Sequence, residues 1–367
     1  MKHLRQHGSM AMPLLALACY ANGVQAQTNV ALYGIVDAAV AHMNNADNAG
    51  HGVTRVPSLT GSVPSRIGLR GSEDLGNGMA VVFTLENGFN PDTGTQGQGG
   101  RLFGRQAWVG LRGKWGLVQI GRLPNMSFHA LAKSDVMGPS LFSINSIDLY
   151  FPNARSDNAV GYLGNFGGIT LGATYSLGRD ALATGGPAAT GCGGETPGNA
   201  RACRQYTWLL GYESDRYGVN ASYDKLFGNA GAANGLTSSA NFDRRITMNG
   251  YVMLGAGKVG AGVIARKTFA ATGTMDSNLY YLGASYPLTA SMVVDAQIAR
   301  KDIKRSGDDT NMAVARLTYS LSKRSAVYAG AGRMDNKGMA AVSLDAGGTV
   351  GAGKAQSGVM AGIRHTF

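Results

Sequence analysis

The chain closes on GTVGAGKAQSGVMAGIRHTF, residues 348–367, and two readings of that stretch compete. Gly348, Gly353 and Lys354 have the spacing of a phosphate-binding loop. Such a loop needs Ser or Thr after the lysine to reach Mg²⁺, and a helix after that. Ala355 stands in the first place and an alternating segment in the second. In residues 357–367, Val359, Ala361 and Ile363 share one face and the run stops on the aromatic Phe367. A period of two is the signature of a half-buried β-strand, so the Gly-rich run reads as the tail of a loop.

The same period recurs along the chain. Asn29 to His42 puts Val30, Leu32, Val36, Ala38 and Val40 on one face. Arg66 to Ser72 sets Ile67 and Leu69 against Arg66 and Arg70, and Met79 to Phe89 sets Val81, Phe83 and Leu85 against Thr84 and Glu86. Continued to the end, the pattern predicts sixteen strands of about ten residues. Their connections alternate. Short ones fall at 74–78, 113–116, 164–167, 214–217, 255–257, 287–289 and 322–323. Long, polar, Gly-rich ones fall at 43–64, 90–104, 123–154, 178–204, 228–243, 270–277, 303–310 and 335–356.

Physics gives that rhythm a meaning. In lipid every backbone N–H and C=O must pair internally, so a sheet spans a membrane only as a closed barrel. Successive strands are then antiparallel, with short turns on one rim and long loops on the other. The expected fold is all-β, a transmembrane antiparallel barrel of sixteen strands, wide enough for a wet lumen. The closing strand would pair with Asn29 to His42, with Val359, Ala361 and Ile363 toward lipid. Phe367 would end that strand at the short-turn rim. The alternative is a soluble sandwich or propeller, which does not predict the short/long alternation.

Residues 1–26 read as a signal peptide: Lys2 and Arg5 precede an apolar stretch, and Val24-Gln25-Ala26 is a small-x-small cleavage site. The barrel would occupy 27–367. Cys192 and Cys203 lie beyond the leader, and an even count in an exported chain suggests a disulfide; two free thiols are the alternative. The formal net charge of +11 raises nucleic acid as a partner, but no zinc-finger spacing or basic helix supports it. Gly255 to Gly260 matches GxGxxG at a hairpin turn with no helix to follow, and HExxH and GxSxG are absent. No enzyme, metal or cofactor is expected. Tyr280, Tyr286, Tyr319, Tyr328 and Phe367 are candidates for interfacial aromatic girdles.

The segments SRIGLRGSEDLGNGMAVVFTLENGF (65–89) and FGRQAWVGLRGKWGLVQIGR (103–122), with ALYGIVDAAV (31–40) and GIRHTF (362–367), resemble the general porins of the Gram-negative outer membrane. The likeness is strongest to the trimeric sixteen-stranded porins of β-proteobacteria. It implies a passive channel for ions and small hydrophilic solutes in the cell outer membrane. It also implies a homotrimer, with Trp108 and the apolar faces of the first strands as candidate contacts between subunits, contact with lipid and lipopolysaccharide, and handling by the barrel-assembly machinery, with Phe367 at the periplasmic interface as the assembly signal. The connection Leu123 to Ala154 would fold into the lumen and narrow it. An arginine ladder would stand on the wall opposite acids on that loop. By motif the arginines are Arg66, Arg105 and Arg155, with Arg70 extending the ladder and Arg101 and Arg122 as weaker candidates. The loop acids would be Asp135 and Asp148. Guanidinium groups stay charged at any relevant pH, so the expectation is weak to moderate anion selectivity. A substrate-specific channel and a surface adhesin or receptor on the same barrel are the competing readings.

Overall fold

The computed structural model describes residues 29–58, 60–182 and 190–367; the expected signal peptide lies outside them. The chain runs through β1 (Asn29–Met43), β2 (Val53–Arg55), β3 (Arg66–Gly76), β4 (Met79–Gly88), β5 (Gln106–Gly113) and β6 (Gly116–Pro124). It continues through β7 (Arg155–Phe166), β8 (Ile169–Ser176), β9 (Gln205–Glu213), β10 (Tyr217–Phe227), β11 (Phe242–Leu254) and β12 (Gly257–Ala270). The last five are β13 (Gly273–Pro287), β14 (Met292–Ile303), β15 (Thr310–Ser320), β16 (Ser325–Asn336) and β17 (Gln356–Thr366).

Sixteen long strands form one closed antiparallel sheet. β1 seals it, pairing with β17 on one edge (Ala38 opposite Ile363) and β3 on the other (Leu32 opposite Leu69). A closed sheet has no free edge, the requirement for a sheet in lipid. The seventeenth strand, β2, was not expected. It lies in the first long connection and pairs with the end of β1, where β3 has already diverged. The short rim is built from tight turns: between β3 and β4, Asn77 and Gly78 both have positive φ (54° and 74°), the mirror-image hairpin geometry.

Pleating sends alternate side chains to opposite sides of the wall. The outward rows are apolar and exposed: Val30, Leu32, Val36 and Val40 on β1, Ile67 and Leu69 on β3, Val359 and Ile363 on β17. Tyr280, Tyr286, Tyr319 and Phe367 are exposed on these rows as well. Tyr328 is not: it is buried on the inward row, donating to the Asp37 carboxylate. Trp108 is opposite Thr84 on the inward row, and its Nε1 donates to Gln106 Oε1 (2.9 Å), so it is no subunit-contact residue. The expected long connection at 270–277 is a tight turn, since β12 runs to Ala270 and β13 starts at Gly273. There the sheet continues past the point where the apolar alternation stops.

The main buried apolar cluster lies inside the wall. Leu131, Val136, Met137, Phe142 and Ile144 of the connection after β6 pack on inward residues Ile264, Leu279, Tyr281, Met312, Val314 and Tyr328. The connection carries short helices at Met126–Leu131 and Ile144–Ile147, each capped by the side chain before it, Asn125 and Ser143. Two glycines admit it. A Cβ on Gly260 would meet the Ser134 carbonyl, and one on Gly283 would meet Val136.

Candidate functional site

The wall strands β3 to β7 bring the three expected arginines together. Arg66 and Arg105 share one carboxylate, Glu86 of β4: Arg105 Nε donates to Glu86 Oε1 (2.7 Å) and Arg66 Nε lies 3.7 Å from Oε2. Tyr33 OH donates to the same Oε2 (2.8 Å). Register explains the meeting. Arg66 is opposite Gly88 and Gly68 is opposite Glu86, so all of these positions share the inward face. Arg155 opens β7 without a carboxylate partner: its Nη1 donates to Pro152 O (3.1 Å) and Asn153 Oδ1 (3.4 Å), and its Nε has no partner among the described residues.

Arg70 is on the same face, two pleat repeats toward the short-turn rim, its guanidinium 5.2 Å from the Tyr33 ring. It lines a lower cavity with Trp108 and Arg112. The weaker candidates pair with other acids. Arg101 binds Asp157 (3.1 Å) and Asp180 (2.6 Å), and Arg122 also binds Asp157 while its Nε donates to Gly104 O (2.8 Å), beside Arg105.

The expected loop acids do not face the arginines. Asp148 is turned to the opposite wall, where Arg245 of β11 holds it in a two-pronged ion pair (2.9 and 3.0 Å). Arg245 also binds Asp243 (3.0 Å) and lies 4.2 Å from the Tyr150 ring. Burial would raise the Asp148 carboxyl; the Arg245 guanidinium outweighs it and holds the group below the usual carboxylate range. Asp135 faces β14, accepting from Gln297 Nε2 (2.8 Å) and Met137 N (3.2 Å). The nearby Arg316 is committed to Asp295 (2.8 Å). With amide donors in place of a cation, burial dominates and raises Asp135 to about 6.

The physical reason for both misplacements is that a helix and a turn point successive loop side chains to opposite sides. Asp148 caps the helix Ile144–Ile147 at the side that meets the wall. The loop face left toward the arginines is uncharged. One open cavity is lined by Arg55, Gln98 and Arg105 on one side and by Pro139, Asn145, Pro152 and Asn153 on the other.

Sequence reasoning missed two charged residues here. Glu86 was legible, since its parity places it inward on β4. Arg55 was not, because β2 has too few residues to show a period; it ion-pairs with Asp345 of the last long connection. His129, in the first loop helix, is half-buried, with its Nε2 enclosed and unpartnered among the described residues, and desolvation pushes it down to about 4. No cluster of three or more metal-ligating side chains exists among the described residues.

Cys192 and Cys203 form a disulfide with a Cα–Cα distance of 5.2 Å, in the connection before β9. At the other end, Phe367 N donates to Gly34 O and Gly34 N to Phe367 O (both 3.1 Å).

Comparison with known proteins places this architecture. The family model for Gram-negative porins matches residues 14–339. An outer membrane porin protein of Bordetella pertussis is 32% identical over 358 residues, which cover 85% of this chain and 90% of that one. Outer membrane porin protein 32 of Delftia acidovorans is 30% identical, covering 98% of this chain and all of its own. Among solved structures, an anion-selective porin from Comamonas acidovorans superposes with a TM-score of 0.76 at 27% identity, covering 93% of this chain and 100% of that one. The trimer form of an outer membrane protein of Vibrio cholerae shares the fold, with a TM-score of 0.65 at 13% identity.

Proposed function

The chain belongs to the Gram-negative porins, channels of the outer membrane, and from that premise we propose that its arginine-lined gap passes small anions in preference to cations. One observation carries the selectivity: Arg66, Arg105 and Arg155 converge with one carboxylate, Glu86, while the facing loop surface is uncharged. Guanidinium groups stay ionised, so the gap holds excess positive charge at every relevant pH. An anion entering it exchanges part of its hydration for these donors and leaves again because the gap stays wet. The relative from Comamonas, described as anion-selective, supports the same sign.

The loop does not bring a negative face to the opposite side, as the arginine-against-acid scheme would require. Its two acids serve to fasten it to the far wall. The pore is therefore asymmetric, with a charged wall and a neutral loop. Passage is passive, and a channel of this kind requires no catalytic group or cofactor. The subunit is proposed to assemble as a homotrimer through exposed apolar outward rows, in contact with outer-membrane lipid and lipopolysaccharide and after delivery by the barrel-assembly machinery.

The test is the reversal potential of purified protein in a planar bilayer under a potassium chloride gradient. The expected sign is that of chloride preference. A potassium preference overturns the proposal. Replacing Arg155 by Gln should move the potential toward the cation side without abolishing conductance.

A further inference from the structure

At the long-loop rim, outward side chains of β10, β11 and β12 bring like charges together. Lys225 is directly opposite Arg244, and Arg244 is directly opposite Lys267. Like charges in facing positions oppose strand pairing, and here Arg244 shares two such contacts. The acids nearby are engaged elsewhere. Asp224 and Asp243 point inward, to Tyr150 and Gln205 and to Arg245 and Arg266. Asp276, opposite Lys267 on β13, is bound by Arg305 (3.4 Å). Among the described residues no carboxylate forms an ion pair with Lys225, Arg244 or Lys267, and the Arg244 Nε has no partner.

The row lies between two aromatic layers. Phe227, Phe242 and Phe269 are nearer the rim, with Phe242 stacked on Phe269 at 5.7 Å. Trp208 and Tyr223 are deeper, stacked at 5.7 Å. Lys225 Nζ is 4.3 Å from the Phe242 ring, and Arg201, from the disulfide-closed segment, lies 4.2 Å from Phe227. Aromatic layers mark the depth of lipid headgroups, and cations held there attract anionic headgroups. The depth, the sign and the missing counter-charge agree on one occupant.

We propose that Lys225, Arg244 and Lys267 form a binding site for a phosphate on the headgroup of an outer-leaflet lipid, with its acyl chains lying over Tyr223 and Trp208. The site rests on the porin reading, which turns the long-loop rim to the outer leaflet. The phosphate neutralises the row that the register otherwise leaves repulsive.

Native mass spectrometry of the detergent-purified oligomer tests it, with bis-phosphorylated lipid A, its dephosphorylated form and inorganic phosphate as probes. The parent should retain the phosphorylated lipid. The combined Lys225→Gln, Arg244→Gln, Lys267→Gln variant should bind it on the order of a hundredfold more weakly. Arg244→Lys should keep most of the binding, which controls for folding. Equal retention by the combined variant, or equal binding of dephosphorylated lipid, overturns the proposal. Displacement of lipid by millimolar inorganic phosphate also overturns it in favour of a free-anion site. Loss of the oligomer with lipid binding intact overturns it in favour of a subunit contact. Conductance of the variant should match the parent; a parent without conductance would refute the channel reading and leave the lipid measurement standing.

Discussion

Three guanidinium groups and one carboxylate meet on the wall, so Glu86 is the side chain through which the local charge can be raised. A unit charge about 8 Å away in water contributes ~0.5 kcal/mol, favourable for one ion sign and unfavourable for the other. Glu86→Gln should therefore increase the anion-to-cation permeability ratio about two- to fivefold, read from reversal potentials. A ratio that falls would show that Glu86 holds Arg66 and Arg105 in position more than it screens them. Asp135 gives a different kind of test. Its carboxyl is raised to about 6 by burial, so the folded state favours the neutral acid. The stability this confers is full below the unfolded value and is lost as pH rises through about 6, leaving a poorly solvated charge above pH 7. Asp135→Asn keeps an acceptor for Gln297 and Met137 and removes that charge. Urea unfolding from lipid vesicles should find the variant more stable than the parent at pH 7.5 and equal to it near pH 4. A gap independent of pH would contradict the titration.

The connection 125–154 packs against inward residues of the wall, and the wall accommodates it by giving up its polar character. Where the loop packs, inward rows carry Ile264, Leu279, Met312, Val314, Tyr328 and Met334. Both faces of those strands are then apolar. This is why parity alone did not separate Tyr328 from the outward girdle, whereas Arg66 and Glu86, on strands whose inner face stays wet, were readable. The loop's attachment is polar as well as apolar: Ser134 Oγ meets Tyr281 OH (2.7 Å), Ile144 N donates to Gln297 Oε1 (3.2 Å), and Arg245 clasps Asp148. Gly260 is the close approach that lets the loop backbone reach the wall. A valine there has no room and should push residues near Ser134 toward the arginines. Single-channel conductance should fall, with the sign of selectivity kept. Unchanged conductance would mean that the loop has slack at this point.

Closure is a property of the whole molecule. The backbone of Phe367 forms a reciprocal pair with Gly34 of the first strand, and its ring occupies the space over Gly34 that a Cβ would fill. Deleting Phe367 removes the last rung and the exposed aromatic together, so outer-membrane insertion should drop while export across the inner membrane continues. Cell fractionation distinguishes the two, and normal insertion of the truncated chain would remove Phe367 from the assembly role. Gly34→Val displaces the ring while keeping the aromatic, and should delay the heat-resistant mobility shift on gels less than deletion does.

The alternating period and the rhythm of turns were enough for sixteen strands, their antiparallel closure and the side of the wall on which Arg66, Arg70 and Glu86 stand. These follow from local geometry, because each strand reports its two faces through its own residues. The direction in which Asp135 and Asp148 point did not follow. A loop has no period, and its side chains turn toward whichever wall offers cations, amides or apolar surface. Those partners, Arg245 and Gln297, come from strands about a hundred residues and more further along the chain. Folding brought them to the far wall, and so left the arginines facing a neutral surface.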